Sequence, residues 1–328
     1  RISHLLRKNG CAGCPMQIRI LISVQVLVAT EKPFAAPAVV GIKNELEAAG
    51  NEVVFLEKYT EKSQLLEAVA DIDAMIVRSD KVTSEILDAA KNLKIVVRAG
   101  AGYDNVDCAY AKEKGVVVEN TPGQNSNAVA ELVFGLLVYA VRNFYNGKSG
   151  SELKDTRLGI LAFGNVGRNV ARIAKGFGMT VSAYDAYCPA EAIEAAGVHA
   201  CSSVDELFQN NDVVSLHIPA TPETINSIDY RTVNQMPKGG ILINTARKEV
   251  INEAELLKLM AERTDMKYIS DIKPDADEDF AKFEGRYYAT PKKMGAQTAE
   301  ANINAGIAAA SQINSFFEKG DTKYQVNK

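Results

Sequence analysis

Two glycines and one aspartate have the spacing of a dinucleotide site. Gly164 and Gly167 follow an apolar run, 158–163, and open a segment whose apolar residues recur at helical spacing. A second apolar run ends on Asp185, 18 residues after Gly167. Glycines let a backbone approach a pyrophosphate at a helix N-terminus, and the carboxylate accepts hydrogen bonds from a ribose diol. The predicted cofactor contacts are Gly164, Asn165, Val166, Gly167 and Asp185.

The same stretch predicts which dinucleotide is bound and departs from the usual motif at one position. Asp185 favours NAD, because a carboxylate there would repel the 2′-phosphate of NADP. The first glycine of the usual G-x-G-x-x-G is replaced by Ala162. The alternative is an ordinary strand–helix–strand turn that uses glycine for packing.

Strand-like and helix-like segments alternate along almost the whole chain, which is typical of parallel sheets covered by helices. The predicted strands are 26–30, 53–56, 73–79, 94–100 and 115–121, followed by 158–163, 181–185, 213–218, 240–246, 267–272 and 286–291. The predicted helices include 38–49, 84–90, an apolar helix at 128–141 and a final helix at 296–317. The sequence therefore predicts an α/β fold with two doubly wound parallel sheets.

The dinucleotide motif lies in the middle of the chain, which predicts a nucleotide domain inserted into a second α/β domain. We predict this second domain over 16–120 and 296–328, with the nucleotide domain at 121–295. The reaction site is expected in the cleft between them. Residues 1–15 are excluded from the fold prediction as an extension before Met16, with a transit peptide as the alternative.

Composition argues against several classes of protein. The 328 residues are 47% hydrophobic and carry a formal net charge of −4, which disfavours nucleic acid and acidic membranes as partners. The longest apolar stretch, 20–29, is too short to span a bilayer. Cys11 and Cys14 form a lone C-x-x-C without a partner pair, so no metal site is predicted. The scattered cysteines are typical of a reduced, cytoplasmic protein.

Five motifs in a fixed order carry a family resemblance. They are KIVVRAGAGYDNVD (94–107), NTPGQNSNAVAE (120–131), HIPATPET (217–224), NTARKEVINEAEL (244–256) and TP…GAQTAEA (290–301). With these motifs the chain resembles the D-2-hydroxyacid dehydrogenases, most closely their short phosphoglycerate dehydrogenase branch.

This resemblance implies a fold, an activity and an assembly. The fold is a Rossmann NAD-binding domain inserted into a flavodoxin-like substrate domain. The activity is the reversible, NAD-dependent oxidation of D-3-phosphoglycerate to 3-phosphohydroxypyruvate, the first step toward serine. A homodimer is expected through the apolar segment 128–141, which is more hydrophobic than one buried face requires.

By the same resemblance, Arg247 holds the carboxylate of the substrate. A guanidinium suits that task, because it binds a planar carboxylate through two parallel hydrogen bonds. Backbone N–H groups at Ala101 and Gly102 would complete the grip, which explains a glycine-rich turn there. The alternative for Arg247 is a surface ion pair with a nearby glutamate.

The resemblance also assigns further cofactor contacts. Asp271 matches the acid that contacts the nicotinamide carboxamide, with a turn residue at a strand end as the alternative. His217 and Pro219 match a loop over the cofactor, and Thr245 and Ala246 are predicted to contact it too. His217 is expected to be structural or close to the cofactor, and not to be the catalytic acid.

The chain departs from the family at its acid–base pair. The family places a histidine directly after a Thr-Pro pair and a glutamate a few residues past the nicotinamide acid. Here Lys292 and Lys293 follow the Thr-Pro, and Ala276 stands at the glutamate position. An imidazolium, with a reference pKa of ~6.5, needs a carboxylate to stay charged near pH 7, whereas a lysine, at ~10.4, does not.

We therefore expect a lysine to replace the pair, as in a lysine-using branch of the phosphoglycerate dehydrogenases. Lys292 follows Pro291 directly, and Lys293 aligns when counted back from Gly295, so both are candidates. Oxidation needs a neutral lysine, which predicts activity that rises toward alkaline pH. The alternative is that both lysines are solvated and the enzyme is inactive. A separate alternative, which the missing histidine–glutamate pair also suits, is a non-catalytic, NAD-sensing scaffold.

The phosphate of the substrate is assigned to the first domain. Arg78 and Ser79 end a predicted strand there, where phosphoglycerate dehydrogenases place a basic residue against the phosphate. The alternative is a local pair between Arg78 and Asp80. If Arg78 does not face the cleft, glyoxylate or hydroxypyruvate becomes the better substrate.

Overall fold

A computed structural model describes residues 23–328, which form two compact units. The first unit runs to Asn125 and resumes at Ala299, and the second covers Ser126–Thr298. The domain boundaries predicted after residues 120 and 295 stay predictions. The predicted extension 1–15, with its C-x-x-C, lies outside the described residues.

The first unit is built on a five-stranded parallel sheet. Its strands are β1 (Gln25–Thr30), β2 (Glu52–Glu57), β3 (Ala74–Val77), β4 (Ile95–Arg98) and β5 (Val117–Asn120). They lie in the order β2-β1-β3-β4-β5, with every pairing parallel, which is the strand order of flavodoxin-like sheets. Its helices are α1 (Ala36–Ala48), α2 (Lys62–Ala68), α3 (Ser84–Ala89), α4 (Cys108–Glu113) and, at its C-terminal end, α12 (Ala299–Lys319).

These strands are buried on both faces, and this explains their apolar sequences. In β1, Val26 and Val28 belong to the apolar cluster on one face of the sheet, and Leu27 and Ala29 belong to the cluster on the other. A strand covered on one side only would alternate between apolar and polar residues.

The second unit is built on a seven-stranded parallel sheet. Its strands are β6 (Arg157–Leu161), β7 (Thr180–Tyr184), β8 (His199–Ala200), β9 (Val213–Leu216), β10 (Ile241–Asn244), β11 (Lys267–Ser270) and β12 (Tyr287–Ala289). The order is β12-β11-β10-β9-β6-β7-β8, and every pairing is parallel. The first strand, β6, lies between β7 and β9, so the direction of strand succession reverses there, as in Rossmann sheets. The helices are α5 (Ser126–Val141), α6 (Asn165–Gly176), α7 (Ala190–Glu194), α8 (Val204–Asn210), α9 (Tyr230–Asn234), α10 (Glu253–Glu262) and α11 (Asp277–Phe280).

Most of the apolar surface of α5 is used inside the second unit. Val133, Phe134, Leu136 and Leu137 are all buried in the apolar cluster that also contains residues of α6 and of the sheet. The Phe134 ring stacks on Phe177 with a centroid distance of 5.1 Å. The hydrophobicity of α5 is therefore explained within the chain, and the expected homodimer stays a prediction.

The fold class predicted from the sequence is confirmed by the two parallel sheets, and the differences concern the ends of elements and one short strand. The predicted strands 213–218, 240–246 and 267–272 each continue two residues past the carboxyl end of the observed strand. The extra residues are in part apolar and buried, but they belong to the loops that carry the candidate site. The two-residue strand β8 was not predicted. None of the helices within residues 23–328 is long and apolar enough to cross a membrane.

Candidate active site

The carboxyl edge of the seven-stranded sheet brings together most of the predicted site residues. The loops that follow its strands carry Gly164–Gly167 after β6, Asp185 after β7, His217 after β9, Thr245–Arg247 after β10, Asp271 after β11, and Lys292 and Lys293 after β12. All the strands are parallel, so their carboxyl ends lie along one edge. Open α/β sheets bind ligands at this edge, beside the reversal of strand order.

The glycine turn presents a helix N-terminus without a side-chain cap. Gly164 is the N-cap residue of α6 and supplies no capping group, whereas Ser203, Asp229 and Asn252 cap α8, α9 and α10. A Cβ added to Gly167 would lie 2.3 Å from the carbonyl oxygen of Ala162, so only glycine allows this close approach. The first-turn N–H groups of α6 are thus left for an anion, and a pyrophosphate fits them.

Ala162 has the backbone conformation of the glycine that it replaces. Its φ is 81°, in the left-handed region that costs a residue with a Cβ about 1–2 kcal/mol. Its N–H donates to the carbonyl oxygen of Tyr184 at 2.8 Å. The turn therefore keeps the geometry of the motif at the cost of strain at one alanine.

Asp185 is held by three backbone donors. One carboxylate oxygen, Oδ2, accepts from the N–H of Phe163 at 2.7 Å, and Oδ1 accepts from Tyr187 and Cys188 at 2.8 and 2.9 Å. An ionised carboxylate offers about four acceptor positions, so one remains on Oδ2. The half-buried carboxylate is thus rigidly oriented, and its free position fits a ribose hydroxyl.

His217 is bonded to two neighbouring hydroxyl groups. Its Nε2 lies 2.8 Å from Oγ of Ser215, and its Nδ1 lies 3.4 Å from Oγ1 of Thr245. Burial lowers the pKa of His217 to about 3. The imidazole is therefore neutral near pH 7 and has no imidazolium proton to supply. Its contact with the cofactor, and that of the exposed Pro219, stay predictions.

Arg247 projects from a turn that Asn244 shapes. The fully buried Asn244 side chain accepts from the N–H of Ala246 at 2.9 Å and donates to the carbonyl of Arg247 at 3.0 Å. The guanidinium of Arg247 is exposed, and among the described residues it bonds only the adjacent carbonyl oxygen of Ala246. No carboxylate within residues 23–328 pairs with it, so the alternative of a surface ion pair is not what the structure shows.

Asp271 fixes the loop that carries the two lysines. The carboxylate is fully buried, and its Oδ1 accepts from the N–H of Met294 and from the hydroxyl of Thr290 at 2.8 and 2.9 Å. Its Oδ2 accepts from the N–H of Gly295 at 2.8 Å. A Cβ on Gly295 would lie 3.0 Å from Oδ2, so the tight approach favours glycine. Both lysines, Lys292 and Lys293, lie exposed within this clamped segment.

The position expected to hold a catalytic glutamate is part of a turn. The backbone N–H groups of Asp275 and Ala276 donate to the carboxylate of Glu253 at 3.0 and 2.8 Å. Glu253 thus shapes this turn from the first residue of α10. Its carboxylate is bonded to backbone and does not restore the histidine–glutamate pair.

In the first unit, the guanidinium of Arg78 is bonded to the protein itself. It donates to the carbonyl oxygens of Lys32 and Pro33, both at 3.0 Å, and to Oδ1 of Asn302 at 2.7 Å. It also stacks over the ring of Phe34. Asp80 accepts from the backbone N–H of Arg78 rather than from its guanidinium. The assignment of Arg78 and the exposed Ser79 to the substrate phosphate stays a prediction.

The glycine-rich turn after β4 is packed against a second arginine. The Arg98 side chain fills the space that a Cβ on Gly100 would need, and its Nε donates to the carbonyl oxygen of Arg78 at 2.9 Å. The side chain of Asn120 holds the carbonyl of Ala101 at 2.6 Å. The role of the Ala101 and Gly102 N–H groups in substrate binding stays a prediction.

Sequence reasoning missed three residues that shape these loops. They are Asn244, Glu253 and Arg98, and each acts through bonds to backbone groups. Asn244 ends a buried strand as a polar residue among apolar ones, a signal that could have identified it. Glu253 and Arg98 bond backbone groups that lie about 20 residues away in the sequence, so no local pattern identifies them.

Comparisons with known proteins show the family of this chain. The family model described as D-isomer specific 2-hydroxyacid dehydrogenase, NAD binding domain, matches residues 139–284. A hydroxypyruvate reductase of Thermotoga maritima is 37% identical over 80% of this chain and 90% of its own length. A D-3-phosphoglycerate dehydrogenase of Methanocaldococcus jannaschii is 35% identical over 77% of this chain and 51% of its own length. The chain thus spans about half the length of the curated phosphoglycerate dehydrogenases that it matches.

One solved structure is similar along almost the whole chain. A crystal structure of NAD⁺-bound 3-phosphoglycerate dehydrogenase from Entamoeba histolytica is 47% identical, covers 94% of this chain and 99% of that chain, and superposes with a TM-score of 0.81.

The chain belongs to the D-isomer specific 2-hydroxyacid dehydrogenase family. It is an NAD-dependent dehydrogenase, and the uncapped N-terminus of α6 and the oriented carboxylate of Asp185 fit that cofactor.

Proposed function

We propose that this chain oxidises D-3-phosphoglycerate to 3-phosphohydroxypyruvate with NAD⁺. The observation that carries the choice of substrate is the 47% identity, along almost the whole chain, to the phosphoglycerate dehydrogenase of Entamoeba histolytica. The exposed basic groups at the carboxyl edge of the seven-stranded sheet support an anionic substrate.

Arg247 would bind the carboxylate group of the substrate. Its guanidinium is exposed, without a carboxylate partner within residues 23–328, at the end of a turn that Asn244 holds rigid. A substrate carboxylate would supply two parallel hydrogen bonds to such a group. The rigid turn means that little conformational freedom is lost when the substrate binds.

Lys292 or Lys293 would exchange a proton with the oxygen at carbon 2. In oxidation the neutral amine takes the hydroxyl proton, and in reduction the ammonium returns it to the carbonyl oxygen. When bound, NAD⁺ accepts the hydride from carbon 2. Asp271 would contribute by holding the backbone of the loop that carries Lys292 and Lys293, here called the lysine loop, at Met294 and Gly295.

The test is a comparison of substrates in the direction of reduction. NADH oxidation should proceed with a higher kcat/KM for 3-phosphohydroxypyruvate than for hydroxypyruvate or glyoxylate. Arg78→Gln should lower kcat/KM for the phosphorylated substrate and leave that for hydroxypyruvate unchanged. Equal kcat/KM for the phosphorylated and unphosphorylated substrates would contradict the proposal.

The second candidate is a hydroxypyruvate or glyoxylate reductase of the same family. Two observations favour it: the likeness to the Thermotoga maritima hydroxypyruvate reductase along 90% of that protein, and the internal hydrogen bonds of Arg78. It predicts a kcat/KM for hydroxypyruvate at least equal to that for the phosphorylated compound. A chain that binds NADH but reduces none of the three substrates would instead be a scaffold.

A further inference from the structure

Three side chains of types that bind metal ions meet at one edge of the seven-stranded sheet. They are His199, Cys201 and Glu206, and a ring nitrogen, the sulfur and a carboxylate oxygen all lie within 4.8 Å of one another. His199 begins the edge strand β8, and Glu206 lies in the first turn of α8. None of the three residues has a role in the mechanism above.

The backbone directs these side chains toward one another. The N–H of Cys201 donates to the carbonyl oxygen of Ala183 at 2.8 Å, so the pairing of β8 with β7 continues to this residue. Side chains two residues apart in a strand point to the same face of the sheet, so His199 and Cys201 share a face. Glu206 reaches back toward the strand, because its Oε2 accepts from the N–H and the hydroxyl of Ser202 at 2.7 and 2.6 Å.

The separations fit the ligands of a tetrahedral zinc ion. Bonds of about 2.0–2.2 Å to nitrogen and oxygen and of about 2.3 Å to sulfur place the ligand atoms about 3.4–3.6 Å apart. Nε2 of His199 lies 3.6 Å from Oε1 of Glu206, which is longer than an ordinary hydrogen bond and close to that separation. The imidazole is 64% exposed, so it can rotate to close the longer separations in the group, and an ion can enter from its solvent side.

The carboxylate of Glu194 is placed to orient the imidazole. Its Oε1 accepts from the N–H of Ala200 at 2.8 Å and lies 3.5 Å from Nδ1 of His199. A histidine that binds a metal usually directs its other ring N–H to a carboxylate, which fixes the tautomer. Glu194 therefore favours a proton on Nδ1 and leaves the lone pair of Nε2, the nitrogen near Glu206, for an ion.

The thiol of Cys201 distinguishes this group from an ordinary ion pair. An imidazolium between Glu194 and Glu206 would account for the histidine and the carboxylates, but it gives the sulfur no role. Cys201 is a free cysteine, and burial raises the pKa of its thiol. A zinc ion would displace the thiol proton to solvent, because a coordinating thiol is deprotonated. The thiolate and the carboxylate of Glu206 would then balance the two positive charges of the ion.

We propose that His199, Cys201 and Glu206 bind one Zn²⁺ ion through Nε2, the thiolate sulfur and Oε1. A water molecule completes the tetrahedron on the solvent side. Sulfur and nitrogen ligands select Zn²⁺ over Mg²⁺ and Ca²⁺, which prefer oxygen. The ion would join the two-residue strand β8 to α8 and stabilise the folded chain, because the unfolded chain does not hold the three ligands together.

The experiment is an anaerobic titration of the full, reduced and metal-free chain with Co²⁺. This ion accepts the same ligands as Zn²⁺, and a bond from Co²⁺ to a thiolate gives a charge-transfer absorption band in the near ultraviolet. We expect the band to saturate at one Co²⁺ per chain. One equivalent of Zn²⁺ should remove the band, because such a site binds Zn²⁺ more tightly than Co²⁺. Millimolar Mg²⁺ should leave it in place.

Variants of the ligands and of Glu194 separate their roles. Cys201→Ser should abolish the band. His199→Asn and Glu206→Gln should each weaken Zn²⁺ binding, measured by isothermal titration calorimetry, by at least about tenfold, since the loss of an outer partner alone costs about 10–100-fold. Glu194→Gln should weaken binding by a smaller factor and keep the band, because Glu194 only positions the imidazole.

The other four cysteines of the chain supply the controls. Cys108→Ser, Cys188→Ser and the double variant Cys11→Ser/Cys14→Ser should each keep the band and the affinity for Zn²⁺. Loss of the band in the double variant would overturn the proposal and assign the thiolate to the C-x-x-C.

Two further results would also overturn the proposal. One is a wild-type chain that shows no band at saturating Co²⁺, which would leave His199 in an ion pair and Cys201 as a small residue of the core. The other is a band that survives Cys201→Ser. If Cys201→Ser does not fold, the exposed substitution His199→Asn decides, and an unchanged affinity for Zn²⁺ in that variant would contradict the site.

Discussion

The carboxyl edges of the two sheets use positive charge in opposite ways. At the edge of the five-stranded sheet, Arg78 and Arg98 are bonded to backbone carbonyls and to side chains of their own unit. At the edge of the seven-stranded sheet, Arg247 and Lys292 are exposed. There the hydrogen bonds that shape the loops come from Asp185, Asp271 and Asn244.

This difference separates residues that build a site from residues that act in it. Burial lowers the pKa of both Arg78 and Arg98, so each has lost hydration that its internal bonds must replace. Arg247 has lost little hydration, and its donors can be used by a ligand. We expect substitutions of the arginines at the first edge to lower stability, with an effect on kcat/KM at Arg78 for a phosphorylated substrate alone. Substitutions of the cations at the second edge should affect catalysis with every substrate.

The largest effect is expected at the lysine loop. Replacing the acid–base lysine, Lys292 or Lys293, by alanine should lower kcat by about 10²–10⁴-fold, the usual contribution of a general acid or base. The other variant should retain most of the activity. In the wild-type chain, the rate of oxidation should rise from pH 6 to pH 9, because the neutral amine is the base.

The control for the lysine variants is Lys282→Ala, an exposed lysine paired with Asp279 in the same unit. Its kcat should equal that of the wild-type chain. If Lys292→Ala and Lys293→Ala are both as active as this control, the acid–base group lies elsewhere.

The contrast between the two edges is sharpest for Arg247 and Arg78. Arg247→Ala should lower kcat/KM by about 10²–10³-fold, because two charge-assisted hydrogen bonds to the substrate are lost. Its free energy of unfolding should be unchanged. Arg78→Ala should lower the free energy of unfolding by about 2–4 kcal/mol, because three internal hydrogen bonds are lost.

Urea unfolding and steady-state kinetics on both variants give the measurement. Arg231→Gln, an exposed arginine paired with Asp205, is the matched control. A loss of stability in Arg247→Ala as large as that in Arg78→Ala would remove the distinction between the edges.

Asp271→Asn tests whether the buried carboxylate acts by holding the lysine loop. In asparagine an NH₂ group replaces one carboxylate oxygen, so a donor would face a backbone N–H group that now has an acceptor. We therefore expect a loss of about 1–3 kcal/mol in the free energy of unfolding. Displacement of the loop should lower kcat/KM by up to about a hundredfold. Asp275→Asn, at an exposed position, should change neither quantity. An effect confined to the KM for NAD⁺ would indicate that Asp271 contacts the cofactor and does not act by holding the loop.

His217 gives a prediction for pH. Its folded pKa of about 3 lies below the unfolded value, so the unfolded chain binds a proton that the folded chain does not as pH falls below about 6.5. The free energy of unfolding should therefore decrease as the pH is lowered. His217 should contribute about 2 kcal/mol of the decrease between pH 8 and pH 5. His217→Asn should remove this part of the slope, whereas the exposed His199→Asn should not.

The smallest effect is expected at the glycine turn. Ala162→Gly should raise the free energy of unfolding by about 1 kcal/mol, because relief of the positive φ exceeds the entropy that glycine adds to the unfolded chain. Ala171→Gly, within α6, should lower it by a similar amount. A loss of stability in Ala162→Gly would show that the alanine methyl group stabilises the turn.

The sequence predicted the sheets because strands buried on both faces, such as β1 and β10, are apolar at almost every position. It also predicted Gly164 and Asp185, whose spacing reflects one strand–helix–strand unit. It did not predict that Asp271 bonds Met294 and Gly295, because that contact joins loops after two neighbouring strands. Partners that lie close only in the folded chain leave no local pattern.

The clamp at Asp271 bears on how such an active site changes during evolution. Two of its three bonds to the lysine loop are to the backbone N–H groups of Met294 and Gly295, and every residue except proline has such a group. These two bonds of the clamp therefore do not depend on which side chains stand at positions 292 and 293. A lineage can exchange one proton donor for another at these positions without rebuilding the loop, so the chemistry of the site can diverge faster than its architecture.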